Sequence, residues 1–358
     1  MAAPESPSIT VWREAVRGDM ADPEVCAAVG HAVLELLARL GPFPRFETPA
    51  VADAFYRAIT IAREDAGVRG HWRRTMREQG RERELGAFPE IRLADIGQQL
   101  CYDAWELAML RDRVTLARLA LRIDPDCADA YNILAEETAR TPTEKQALYE
   151  QAMLVGERSL GPELFVQEVG SFWGLVETRP YMRARFALAE IRWQQGDHRA
   201  AIAHFQELLR LNPNDNQGVR YVLASCLLEV GDGAGFAALV SRWHRILAAD
   251  APPGARKDPA IDDYESAMWL YPRALAAFRT HGAGPEADRA LARALKRNRY
   301  VPAYLLGRRK PPKTVPAMYS PGSNEEAICY LDMGMRSWQS TPSALDWLAQ
   351  QIQRQRSQ

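Results

Sequence analysis

Apolar residues recur every three to four positions along almost the whole chain, and the strict alternation of half-buried strands is nearly absent. The pattern predicts an all-α protein. Its punctuation is that of successive helices. Asp22-Pro23-Glu24 opens a segment that ends near Leu40 and Gly41, and Thr48-Pro49 opens the next, with Phe55, Ile59 and Ala62 on one face. In such pairs the Thr or Asp side chain caps free N–H groups, and Pro sits where its missing donor costs nothing. Thr141-Pro142 and Thr341-Pro342 repeat the device, and Ser323-Asn324-Glu325-Glu326 has the spacing of a capping box.

Four regions follow. Residues 1–95 form an N-terminal helical region, and residues 96–308 a run of helix–turn–helix units. Residues 309–323 form a Pro-rich basic linker, and residues 324–358 a C-terminal helical pair. The middle region carries an internal repeat of about 34 residues. Leu188 and Ala189 lie on a first helix, Gly196-Asp197 make a turn, Ala201, Phe205 and Leu208 lie on a second helix, and Asn212-Pro213 ends the unit. This is the tetratricopeptide pattern. Small residues, here Ala189 and Ala201, let two antiparallel helices approach, an aromatic fills the groove to the next unit, and Pro breaks the chain into the next helix. Asp124-Pro125 closes another unit. Ala128, Tyr131, Leu134 and Ala135 begin the next, with Tyr149 and Ala152 on its second helix. Val219 to Cys226 with Phe236 to Trp243, and 261–279 with Ala287, Leu291 and Ala294, make two more. One such hairpin cannot bury its apolar face alone, so units must stack. The expectation is a tetratricopeptide-like right-handed α-solenoid with an extra N-terminal helical region and a C-terminal helical pair.

In such a stack the first helices line a concave surface, where extended peptides bind through side chains. That frame points inward with Asn132, Glu136, Arg183, Phe186, Glu190, Trp193, Gln217 and Arg220. Arginine beside tryptophan suits an anionic, partly apolar peptide, because a guanidinium forks two hydrogen bonds to one carboxylate.

Charge narrows the partner. The chain has 45 Lys+Arg against 46 Asp+Glu, which argues against a protein built for nucleic acid or an anionic membrane surface. Only five of the cations are lysines; with abundant alanine this reads as the codon bias of a GC-rich genome rather than as function. No two of the five cysteines lie within four residues of each other, so they read as reduced, buried thiols in a reducing compartment. Met1 to Thr10 lacks the n- and h-regions of a signal peptide, and Val25 to Leu40 is too short and too charged to span a bilayer. The expectation is therefore no membrane and a cytoplasmic location. No signal bears on oligomeric state.

Catalytic chemistry finds no constellation. The six histidines include no pair at four-residue spacing, and Gly231-Asp232-Gly233-Ala234-Gly235 lacks the Lys-Ser/Thr of a phosphate loop. No Gly-x-Ser-x-Gly elbow occurs. No catalytic, cofactor-binding or metal-ligating residue is expected, and the chain reads as a non-catalytic scaffold for a protein or peptide partner. Two alternatives belong to other classes. One is a helical domain of an enzyme with its chemistry in residues 1–95. The other is nucleic-acid association through Arg69, Arg73, Arg74, Arg77, Arg81 and Arg83, which Glu78, Glu82 and Glu84 interleave and weaken. The run Arg308-Arg309-Lys310-Pro311-Pro312-Lys313 reads as an extended linker, with a docking strip for an acidic partner as the alternative.

Three blocks carry a family likeness. Ile123 to Glu137 (IDPDCADAYNILAEE), Asn298 to Leu306 (NRYVPAYLL), and Glu325-Glu326-Ala327-Ile328 with Tyr330 and Trp338 resemble, in this order, the suppressor of tumorigenicity 7 family and its bacterial tetratricopeptide relatives. The likeness covers about residues 98–350. It implies a helical-repeat scaffold and carries over no catalytic residue. The family's eukaryotic members have membrane segments, which are not read in this chain.

Overall fold

The structure, a computed structural model, describes residues 35–36, 38–40, 46–78, 93–250 and 266–356, and among them every regular element is helical. In chain order the helices are α1 (Pro49–Glu78), α2 (Leu93–Glu106), α3 (Leu110–Ile123), α4 (Ala128–Glu137), α5 (Pro142–Leu160), α6 (Leu164–Gln167), α7 (Arg179–Gln194), α8 (His198–Leu211), α9 (Val219–Glu229), α10 (Gly233–Asp250), α11 (Ala267–His281), α12 (Pro285–Arg297), α13 (Val301–Leu305), α14 (Asn324–Gln339) and α15 (Ala344–Arg356). The all-α expectation holds. Residues 22–34 lie outside the described residues, as do Arg81, Arg83 and the side chains of 63–77.

The boundaries sit where local chemistry places them. Thr141 Oγ1 accepts the Glu144 N–H at 3.1 Å with Pro142 at the first turn of α5. Asp124 ends α3 in extended conformation, and Pro125 behind it bars continuation. Gly196 turns the chain between α7 and α8 with φ +85°, a region that favours glycine, and Asp197 then caps α8 through the Ala200 N–H. Thr341 departs from its expected role. Its hydroxyl donates to Ser337 O at 2.6 Å and accepts from Arg279 Nε at 2.8 Å, and the last helix starts only at Ala344. The guanidinium from α11 takes the oxygen that a cap would use.

The chain divides into two compact units, residues 1–168 with 172–191, and residues 169–171 with 192–358. In the first, packing runs mainly between helices one or two apart in sequence: α1 on α2 and α3, α2 on α3 and α4, α3 on α4, and α4 on α5. Phe55, Leu100, Leu116, Ile123 and Ile133 are core residues of this unit. Two glycines permit close approach. A Cβ on Gly97 would stand 3.3 Å from Asp124 Cβ, and one on Gly156 3.1 Å from Tyr181 Cβ. Residues 161–178, between α5 and α7, hold α6 and two short 3-10 turns. This stretch is pinned by the rings of Phe165, Phe172 and Tyr181, with centroids 5.0 to 6.4 Å apart.

The second unit is not a chain of neighbours alone. α14 packs on α9, α11, α13 and α15, so the C-terminal pair is built into the same unit as the helices before the linker. The Tyr271 ring meets Tyr330 and Trp338, and Trp347 stacks on Phe278 at 4.6 Å. At the start of α14 the expected capping box is half realised. The Glu326 N–H donates to Ser323 Oγ at 3.1 Å, but Ser323 N–H is held by Ser320 O at 3.0 Å. The Glu326 carboxylate, with no exposed surface, instead accepts from Ala267 N–H at 2.9 Å, Gly322 N–H at 2.6 Å and Asn298 Nδ2 at 2.9 Å. It closes the N-terminus of α11, not that of its own helix.

Candidate functional site

Three helices of the first unit each carry a polar stripe at i, i+3/i+4, i+7 spacing: Gln98, Tyr102 and Trp105 on α2, Asp129, Asn132 and Glu136 on α4, and Arg183, Phe186 and Glu190 on α7. The stripes meet at Asp129. Its carboxylate has no exposed surface and takes a forked ion pair from Arg183, Nε to Oδ1 at 2.9 Å and Nη2 to Oδ2. Gln98 Nε2 donates to Oδ2 at 2.7 Å, and Asn132 Nδ2 to Oδ1 at 3.0 Å. Asn132 Nδ2 also reaches Pro180 O at 3.0 Å. A buried charge holds only if paired and hydrogen-bonded, and here one carboxylate is satisfied from three helices at once. The Arg183 guanidinium also lies over the Trp105 ring, 4.9 Å from its centroid.

One turn along, Glu136 and Glu190 are exposed and act on Tyr149 from α5. Tyr149 hydrogen-bonds Glu136, and burial, with the two carboxylates, pushes its phenol well above its usual value. The Glu136 carboxyl is raised too, chiefly because its neighbours displace water, with Glu137 and Asp129 adding to the shift and Lys145 opposing it.

The eight groove candidates therefore separate. Asn132 and Glu136 on α4 and Arg183 and Glu190 on α7 lie in the first unit, with Phe186 half-buried on α7. Asn132 is only 2 % exposed and holds the α4–α7 contact, so it is no groove contact. Arg183 spends its fork on Asp129 rather than offering it to a carboxylate ligand. Trp193, Gln217 and Arg220 lie in the second unit. Trp193 stacks on His198 at 4.1 Å, and Gln217 sits in the turn before α9 rather than on it. Arg220, 7 % exposed, pairs with Asp215 at 2.9 Å between the rings of Tyr221 and Trp243, at 4.2 and 3.8 Å. Its surroundings make it a core residue.

Asp129, Gln98 and Trp105 were not singled out by the frame, and Tyr149 only as a packing residue of a second helix. Asp129 could have been, because Asp129, Asn132 and Glu136 form one helical stripe. Trp105 leaves 36 % of its surface exposed, which no sequence pattern reports.

A family model described as ST7 protein matches residues 94–355. The chain is 26 % identical over 270 residues to the suppressor of tumorigenicity 7 protein of Macaca fascicularis, and equally to those of Mus musculus and Rattus norvegicus. The alignments cover 69 % of this chain but 48 % of the macaque protein and 44 % of the two rodent proteins, so the chain spans about half the length of the curated relatives it matches. These relatives are mammalian and give no support to the bacterial part of the resemblance. Among the described residues no helix is long and apolar enough to cross a membrane.

Proposed function

The chain belongs to the ST7 protein family, and from that premise we propose that it is a non-catalytic interaction module of tetratricopeptide-like, right-handed helical repeats that holds a peptide or protein partner in a cytoplasmic setting. The observation that carries the reading is the alignment of α2, α4 and α7 through Asp129, which sets three polar stripes side by side. The packing of α2 on α3 and of α4 on α5 supports a reading as helical hairpins, the units that repeat proteins stack to bind extended partners. With Arg183 and Asn132 engaged internally, Trp105, Glu136 and Glu190 are the exposed contacts. They favour a segment that lays an apolar side chain on Trp105 and offers hydrogen-bond donors or a cation to the two glutamates. This replaces the anionic peptide expected from the arginines.

The test is site-specific photo-crosslinking from position 105 or 190 in cells expressing the full chain, with exposed positions 118 and 154 on α3 and α5 as controls. Discrete adducts from the first pair alone are expected. Equal adducts from both pairs, or none from 105 and 190, would overturn the assignment.

A further inference from the structure

The first unit carries a half-open cavity of about 370 Å³ between the start of α2, the α3–α4 turn, the end of α5 and residues from 164 to 181. That volume lies at the small end of ligand pockets, room for a side chain or small metabolite. Its walls are braced, not loose. Gly156 lets α5 close on Tyr181, and Thr178 Oγ1 donates to Phe172 O and to Leu175 O. The cavity therefore exists before any ligand arrives, which lowers the cost of ordering on binding.

The lining has two characters. Leu160, Leu164 and the Tyr181 ring form an apolar part. Asp95, Asp124, Asp126 and Glu177 form an acidic part, and none of the described lining residues is Lys or Arg. Arg158, outside the lining, pairs with Asp126, Nε to Oδ2 at 2.9 Å. Carboxylates at helix starts, such as Asp95 on α2, are explained by the helix dipole. Asp124 is not, since it stands at the C-terminus of α3, the end that repels an anion. One of its oxygens accepts the Asp126 N–H at 3.1 Å, and burial raises its carboxyl above the usual range, against the pull of Arg39 and Arg158. A cation delivered into the cavity would relieve that cost.

We propose that this cavity is a binding site for an alkylammonium or alkylguanidinium group, its charge against Asp124 and Glu177 and its methylene stem along Leu160, Leu164 and Tyr181. The chemistry is shared by two sources, a free diamine and the lysine or arginine side chain of a peptide. The site goes beyond the α2–α4–α7 face, and failure of the crosslinking test there leaves it untouched.

Calorimetric titration of the full chain decides it, with 1,5-diaminopentane, with acetyl-Gly-Lys-Gly-amide, and with pentanoate as the anionic control. At least one ammonium probe should bind saturably and pentanoate should not. The Glu177→Gln and Asp124→Asn variants should each weaken binding about tenfold, the loss of one charge-assisted hydrogen bond. Glu177 is exposed, so its variant keeps the test valid should Asp124→Asn fail to fold. The tighter of the two ammonium probes identifies the source. Absence of binding by both, equal binding of pentanoate, or undiminished binding by Glu177→Gln would overturn the proposal.

Discussion

Arg183 on α7 grips the fully buried carboxylate of Asp129 on α4 through two hydrogen bonds, although 54 residues separate them. The pair sets the distance between the two helices, and Gln98 extends the same tie to α2.

Arg183→Ala leaves Asp129 without its counter-charge. Breaking a buried ion pair from one side costs about 3 kcal/mol. Replacing both partners, Asp129→Asn with Arg183→Ala, should cost less than the arginine change alone, because no uncompensated charge remains. Urea unfolding of the four chains in the cycle measures this. Additive losses, or an Arg183→Ala midpoint unchanged from the parent, would contradict the role assigned to the pair.

Glu326→Ala removes the acceptor shared by the Ala267 and Gly322 amides and the Asn298 side chain. The buried Ala267 amide is left unpaired while Asn298 Nδ2 keeps Ser323 O, so the expected loss is about 1–3 kcal/mol. Hydrogen exchange should show the amides of 267 and 322 losing protection. Glu325→Ala, one residue earlier and exposed, should leave both protected.

Gly156→Ala brings a methyl group to 3.1 Å from Tyr181 Cβ, an atom fixed by the backbone. Overpacking of this kind costs about 1–3 kcal/mol, more than the helix propensity that alanine returns. At Gly174 a Cβ would meet nothing within 4 Å. Melting temperature should fall for the first alanine and stay level for the second.

Glu136 gives a pH signature. Its carboxyl is raised in the folded chain, so between the ordinary value and the raised one the folded state holds a proton that the unfolded state has released. Stability from this group is therefore present at acid pH and lost as pH rises through that window. Glu136→Gln abolishes the loss and keeps an oxygen for Tyr149. Relative to the parent chain, the variant should gain stability at pH 7 compared with pH 3, read as the difference in urea midpoint. A constant difference across that range would refute the assignment.

Helices and their ends were legible because they depend on contacts within a few residues. Thr141-Pro142, Asp124-Pro125 and Gly196-Asp197 act within one turn, so their spelling is enough. The family likeness was legible for a related reason. Its blocks hold Asp129, Asn298 and Glu326, whose exact chemistry the packing requires. Groove candidates were only partly legible. Helical spacing tells which side chains share a helix face, but it reports neither that Asn132 is buried nor that Arg183 is spent on Asp129.

What stands across from a face is decided by helices distant in sequence. Arg183 and Arg220 are the same residue type, each on a first helix of the repeat frame. One meets a buried aspartate under a half-exposed tryptophan, and the other is closed between Tyr221 and Trp243. The pattern of apolar positions by itself determined that the described residues form a succession of helices. Only the tertiary structure decided which polar groups are consumed in holding those helices together and which still face water, because desolvation and pairing depend on the partner that packing brings within 3 Å.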